Sequence, residues 1–137
     1  MKNYLNLFLG LGLISLIACN QPAQEKGQAT LPTFELKSLS FIDSLGTSTE
    51  ADLLKVIQEV NSVISDSLGY PGAGYTLWKI QKDTIAKLRY LLQGSWPDSF
   101  AYKAIHEDPR FEAAWAEQED ITDPVKFHMY RRYQLVK

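Results

Sequence analysis

Cysteine is almost missing from this chain: Cys19 stands alone among 137 residues. An internal disulfide is therefore excluded, and a thiolate-rich metal site lacks its ligands. Histidine occurs only as His106 and His128. The two are far apart, neither belongs to a carboxylate–histidine helix motif, and no metal set is legible. Basic charge is not in excess, with 14 Lys and Arg against 16 Asp and Glu and a formal net charge of −2. Nucleic-acid binding, which leans on a basic face, is excluded on that ground. Gly69, Gly72 and Gly74 precede a strand pattern instead of opening a helix, so they do not form a phosphate-cradling loop. Glu117, Glu119, Asp120 and Asp123 lack EF-hand spacing and read as a solvated loop. Asp66-Ser67 and Asp98-Ser99 have no histidine in a triad-like context. No repeat of solenoid period is present, and no cofactor is expected.

The amino terminus carries the most specific signal. Lys2 precedes a nearly continuous apolar run from Tyr4 to Ala18, shorter than the ~20 residues of a comfortable membrane span. The run closes on Leu16-Ile17-Ala18-Cys19, which resembles the lipobox of bacterial lipoproteins. That resemblance implies a signal peptide at residues 1–18, cleaved before a Cys19 that carries diacylglycerol. It implies a palmitate-type membrane anchor in the bacterial cell envelope. Asn20, where an aspartate acts as an inner-membrane retention signal in some bacteria, favours the outer membrane. Cleavage removes only Lys2 from the charge count, leaving 13 basic against 16 acidic residues and a net charge of −3. Residues 19–32 are polar and aperiodic and read as the lipidated cysteine with a flexible tether. Residues 33–137 form the folded domain, of a size expected for one domain.

Within that domain, Phe34 to Ile42 roughly alternates and reads as a first strand. Thr47-Ser48-Thr49-Glu50 supplies a helix cap, with Glu50 and Asp52 suited to the positive end of the dipole. Leu53, Leu54, Ile57, Val60, Ile64 and Leu68 then recur at helical spacing, and Gly69 ends the helix. Tyr75 to Gln81 is a second strand, dividing into Tyr75, Leu77 and Lys79 against Thr76, Trp78 and Ile80. A polar segment at Lys82-Asp83-Thr84 separates it from a third, Leu88 to Trp96. There Leu88, Tyr90, Leu92, Gly94 and Trp96 face the helices, with Gly94 admitting a helix closely. Asp98 caps a second helix that runs to His106 and resumes from Phe111 to Gln118. Glu119 to Pro124 reads as a loop and Val125 to Val136 as the last strand. That strand alternates Val125, Phe127, Met129, Arg131, Tyr133 and Leu135 against Lys126, His128, Tyr130, Arg132 and Gln134. The order is β-α-β-β-α-β: an α+β, ferredoxin-like sandwich with helices on one face of a four-stranded antiparallel sheet.

The order, the Gly-Tyr-Pro-Gly approach to strand two, and Trp96-Pro97-Asp98-Ser99-Phe100 leading to His106 resemble the dimeric α/β-barrel superfamily. Within it they resemble the antibiotic-biosynthesis-monooxygenase-like (ABM-like) domain. The resemblance implies a homodimer packed sheet to sheet and a small-molecule pocket, or a structural role without chemistry. The alternative it implies is a cofactor-independent monooxygenase acting on an electron-rich small organic substrate. His106 and Trp96 match the family's helix histidine and strand-end tryptophan. His128 with Tyr130 offers a base and a donor. Arg89, Leu91, Gln93, His128, Tyr130 and Arg132 are expected on the open sheet face, and Trp78, Arg89, Gln93, Trp96 and Arg132 are candidate ligand-pocket residues. Each has a plainer role open to it: Trp96 as core filler, His106 as a helix-end residue, strand four's row as a solvated or dimer-facing surface. The haem-degrading branch is disfavoured, because strand one lacks its asparagine.

Overall fold

The computed structural model describes residues 33–82 and 87–137. The expected signal peptide, Cys19, the tether and residues 83–86 of the polar segment lie outside the described residues. Four strands, β1 (Leu36–Ser44), β2 (Gly74–Lys79), β3 (Tyr90–Trp96) and β4 (Lys126–Gln134), form an antiparallel sheet of order β2-β3-β1-β4. Helices α1 (Glu50–Ser62), α2 (Ser99–His106) and α3 (Pro109–Ala116), with the short α4 (Glu119–Thr122), cover one face. This is the ferredoxin-like α+β sandwich expected from the order of elements.

Local chemistry explains each element's start. Thr49 closes a capping box with Asp52: its hydroxyl accepts from the Asp52 amide at 3.2 Å, and the Asp52 carboxylate accepts from the Thr49 amide at 2.9 Å. Leu53, Val56, Ile57 and Val60 then share the buried face of α1. Val56, absent from the expected stripe, is fully buried, whereas Leu54, placed in it, is 45% exposed. At about 100° per residue, position 56 lies roughly 40° from 60 and roughly 60° from 53, beside the stripe, whereas position 54 is turned about 100° from 53. Beyond Ser62 the expected continuous helix widens into a π turn, Val63–Ser67, before Gly69 reverses the chain at φ +78°. Asp98 caps α2 by accepting from the Ala101 amide at 2.8 Å. Asp108 caps α3 ahead of Pro109.

Three expectations need correction. The segment Glu119 to Pro124 contains the helical turn α4 instead of a plain loop. At Gly94 the close approach is made by the Trp96 indole, not by a helix: a Cβ there would overlap the Ser38 hydroxyl and the indole. The third concerns β4. Phe41 opposes Met129 while Ile42 opposes Phe127, so His128 is the extra residue of a β-bulge. The side-chain alternation is reset at that point. Tyr130 and Arg132 oppose Ser40 and Ser38 and lie on the helix-covered face, not on the open face. Met129, Arg131 and Tyr133, which pair with Phe41, Leu39 and Lys37, take the open face instead.

The core lies between sheet and helices in two adjoining clusters. One gathers Leu36, Val56, Val60, Ile64, Trp96, Ile105 and Phe111; the other gathers Ile42, Leu45, Leu53, Ile57, Leu92 and Val125. The opposite face carries Leu39, Phe41, Leu91 and Met129 half-buried and Trp78 and Tyr133 exposed. Among the described residues no helix lies over it.

Candidate functional site

The functional candidates converge where α2 crosses the sheet. Tyr102 and His106 stand one turn apart on α2, so both project toward the sheet, Tyr102 meeting β4 and His106 meeting β2 and β3. Their rings stack with centroids 3.9 Å apart. Tyr75 reaches the same point from β2, and its backbone is fixed by Asn61 of α1. The Asn61 amide oxygen accepts from the Tyr75 N–H at 2.7 Å, and its NH2 donates to the Tyr75 carbonyl at 2.8 Å. Gly74, at φ +131°, leaves room for that clamp, since a Cβ would strike the Asn61 side chain. Behind these rings sits Trp96, fully buried, edge-on to Tyr75, Tyr102 and His106 at centroid distances of 5.1, 5.6 and 4.8 Å. Its indole N–H donates to the Ser38 hydroxyl at 3.1 Å, which satisfies the one buried polar residue of the described core.

His106 has a defined tautomer. Its Nδ1 lies 2.7 Å from the Tyr102 carbonyl, which can only accept, so the proton is on Nδ1. The Nε2 lone pair then accepts from the Tyr75 hydroxyl at 3.2 Å. Burial lowers the pKa of His106, and the charge of Arg132 pushes the same way, against the raising effect of the Tyr102 carbonyl. The ring is thereby held neutral near pH 7. Burial drives the Tyr75 phenol far above its ordinary value, with the Tyr102 and Tyr130 hydroxyls adding to the effect. Across from α2, the Tyr102 and Tyr130 hydroxyls are 3.0 Å apart. Burial, then the bond to Tyr102, raises the Tyr130 phenol to about 12.

These residues wall a cavity of about 320 Å³ lined by Ser38, Ser40, Leu53, Tyr75, Leu92, Tyr102, His106, Trp115, Phe127 and Tyr130, among others. Beside it a wider mouth of about 580 Å³ is lined by Leu36, Ser99, Tyr102, Lys103, His106, Glu107, Arg132 and Gln134. Tyr102 and His106 belong to both walls. The chamber is mostly aromatic and aliphatic with hydroxyls at fixed points, which is the usual make-up of a small-molecule site. The arrangement can move a proton: a ligand hydroxyl donating to Tyr75 is joined through the Tyr75 O–H to a neutral His106.

Of the sequence candidates, the fold brings His106 and Tyr130 to this cavity and Arg132 to its mouth. Trp96 supports it from behind without lining it. His128 is elsewhere, its Nδ1 3.5 Å from the Asp43 carboxylate, so it is no partner for Tyr130 in a base–donor pair. Trp78 and Gln93 pair with Leu91 and Leu39 positions of the open face, and Arg89 lines a separate surface hollow with Lys79 and Lys87. Those three do not form a pocket with Arg132. Sequence reasoning missed Tyr75 and Tyr102. The signal for Tyr102 was its four-residue spacing from His106; for Tyr75 it was the strand parity that places it on the helix side.

Among the described residues no three His, Cys, Asp or Glu side chains are grouped to hold a metal ion, and no helix is long and apolar enough to cross a membrane.

The chain matches no family model and no curated protein. Solved structures do resemble it. A Chloroflexus aurantiacus J-10-fl protein described as a "putative antibiotic biosynthesis monooxygenase" aligns with a TM-score of 0.50 at 16% identity, covering 74% of this chain and 94% of that one. A dimeric ferredoxin-like protein of unknown function from Thermobifida fusca YX aligns at 0.49 and 11% identity, covering 78% and 96%. The Chloroflexus likeness agrees with the ferredoxin-like α+β fold, and at that identity it speaks to fold alone.

Proposed function

We propose that this domain binds a small, largely apolar organic molecule in the cavity between β1, β4 and α2, and that it does so as a lipid-anchored homodimer of the bacterial cell envelope. The observation that carries the ligand reading is the network from Tyr75 through neutral His106 to Tyr102 and Tyr130, set in the wall of an otherwise apolar chamber. A purely structural module has no use for hydroxyls held at fixed points around an open cavity. Dimerisation is supported by the uncovered face of Leu39, Phe41, Trp78, Leu91, Met129 and Tyr133, since exposed apolar patches of this kind mark interaction sites. Lipidation at Cys19 rests on the lipobox-like Leu16-Ile17-Ala18-Cys19, and two or more acyl chains make a durable anchor. The outer membrane is favoured by Asn20.

Native mass spectrometry of a soluble 27–137 fragment, purified gently from a related bacterium, tests the ligand and the dimer together. A dimer carrying a small bound mass is expected; a monomer would sink the sheet-to-sheet assembly, and an empty cavity that takes up no aromatic compound would sink the ligand reading. For the anchor, Cys19→Ser in the full chain is expected to abolish acylation and leave the unprocessed form, read as an increase in intact mass over that of the cleaved polypeptide. Normal processing and anchoring of that variant would overturn the lipobox reading.

A second reading, oxygenation without a cofactor, is favoured by one specific observation: the Tyr75–His106 relay ends in an unprotonated Nε2. An electron-rich aromatic substrate bearing an acidic CH2 group would release a proton through Tyr75 to His106. Its carbanion would take up dioxygen, and loss of water would leave a carbonyl. One oxygen atom enters the product, the other leaves in water, and the substrate supplies all four electrons. Oxygen consumption with such substrates, lost in His106→Ala, is the expected signature; binding without oxygen uptake would leave the domain a binding module.

A further inference from the structure

Charge at the mouth of the cavity is unevenly matched. Lys103 Nζ lies 3.8 Å from the Glu107 carboxylate one turn along α2, so these two largely cancel. Arg132 has no ion-pair or hydrogen-bond partner among the described residues. Its guanidinium instead rests over the Tyr102 ring, 5.4 Å from the centroid, which holds the fork at the threshold between mouth and chamber. Tyr102 and His106 line both spaces, so a molecule seated in the chamber with its head outward meets Arg132 first. Ser99 and Gln134 add neutral donors to the same rim.

We infer that the mouth takes the carboxylate of a small aromatic acid, with Arg132 as its counter-ion and the ring lodged among Tyr75, Tyr102, Trp115 and Phe127; the inference rests on the reading of this cavity as a ligand site. The planar guanidinium matches a planar carboxylate through two parallel hydrogen bonds. One unmatched positive charge suits a monoanion, and with Lys103 and Glu107 offset against each other the rim holds no further positive charge to take a second negative one. Aromatic walls take a flat ring edge-on or stacked. The acid would thus be read at both ends, by charge at the mouth and by shape in the chamber.

A matched pair of probes separates this inference from the reading beneath it. Calorimetric titration of the 27–137 fragment with 2-naphthylacetate and with 2-naphthylacetamide compares a charged and a neutral head on one skeleton. The acid is expected to bind about tenfold more tightly than the amide. That preference should shrink as salt is raised from 0.05 to 0.5 M. In Arg132→Gln the acid-to-amide ratio is expected to fall toward one, and in Arg132→Lys to drop only in part. Equal binding of the two probes by the unaltered domain would overturn the carboxylate inference and leave the cavity reading standing, as would a preference retained in Arg132→Gln. Failure of both probes to bind would remove both. Should Arg132→Gln not fold, the salt series on the unaltered domain decides alone.

Discussion

The missing side chain at Gly94 lets the Trp96 indole lie across β3 and donate to Ser38. Gly94→Ala puts a methyl group where the Ser38 hydroxyl and the indole already meet, an overpacking that costs about 1–3 kcal/mol. Denaturant unfolding is expected to show that loss, and Ser38→Ala in the same chain should recover part of it by vacating the space. His106 offers a pH signature. Its folded pKa lies below its ordinary value of 6.5, so the unfolded chain binds the proton more readily. Stability is therefore full above about 6.5, falls as pH drops through that value, and levels off once the folded form also protonates. The carboxylates held low, Glu50, Asp52 and Asp108, titrate below this window. Thermal melts between pH 7.5 and 5 should fall with pH, and His106→Gln should flatten that slope. Tyr75→Phe removes the donor that favours neutral Nε2, so the NMR titration midpoint of His106 is expected to rise; an unmoved midpoint would disprove the Tyr75–His106 bond.

Elements are placed by chemistry that reads unevenly from sequence. The caps at Thr49 and Asp98 are local, depending on a hydroxyl or carboxylate within three residues, and they were legible. So was the helix side of β3, because Leu92, Gly94 and Trp96 alternate without interruption. The helix side of β4 was not, because a bulge is decided by pairing with β1, and nothing within residues 126–134 announces that His128 is the extra one. That single residue moved Tyr130 and Arg132 to the helix face and separated them from Gln93. Trp78 and Arg89 failed as pocket residues for a different reason: their strand parity was read correctly, but the cavity lies on the other side of the sheet. The Asn61 clamp was equally invisible, since it joins α1 to β2 through a side chain 14 positions away. Asn61→Ala leaves a strand N–H and C=O without partners and is expected to cost about 1–3 kcal/mol. Loss of amide protection at Tyr75 by hydrogen exchange would report it directly.

For the whole molecule, a four-stranded sheet with helices on one side leaves a face that water covers poorly. Under the proposed assembly a second copy covers it. Leu91 and Phe41 are cross-strand neighbours in the middle of that face, so Leu91→Asp or Phe41→Asp places a charge in a desolvated interface. Light scattering should then report a monomer with unchanged secondary structure. Tyr130→Asp, on the covered face, is expected to disturb the cavity and leave the dimer intact. A dimer that survives Leu91→Asp and Phe41→Asp would show that the chain associates through some other surface.

Tyr102, whose ring lines both mouth and chamber, is joined by one hydrogen bond to Tyr130 of the chamber wall, one phenol on a helix and the other half-exposed on an edge strand. A doorway opening at that pair would turn on torsion in a single ring. Swinging the Tyr130 side chain about its own bonds parts the pair without moving a backbone atom, and exposed rotamers turn over in picoseconds to nanoseconds. Exchange at such a doorway would track how tightly the occupant is held and owe nothing to the slow breathing of a loop.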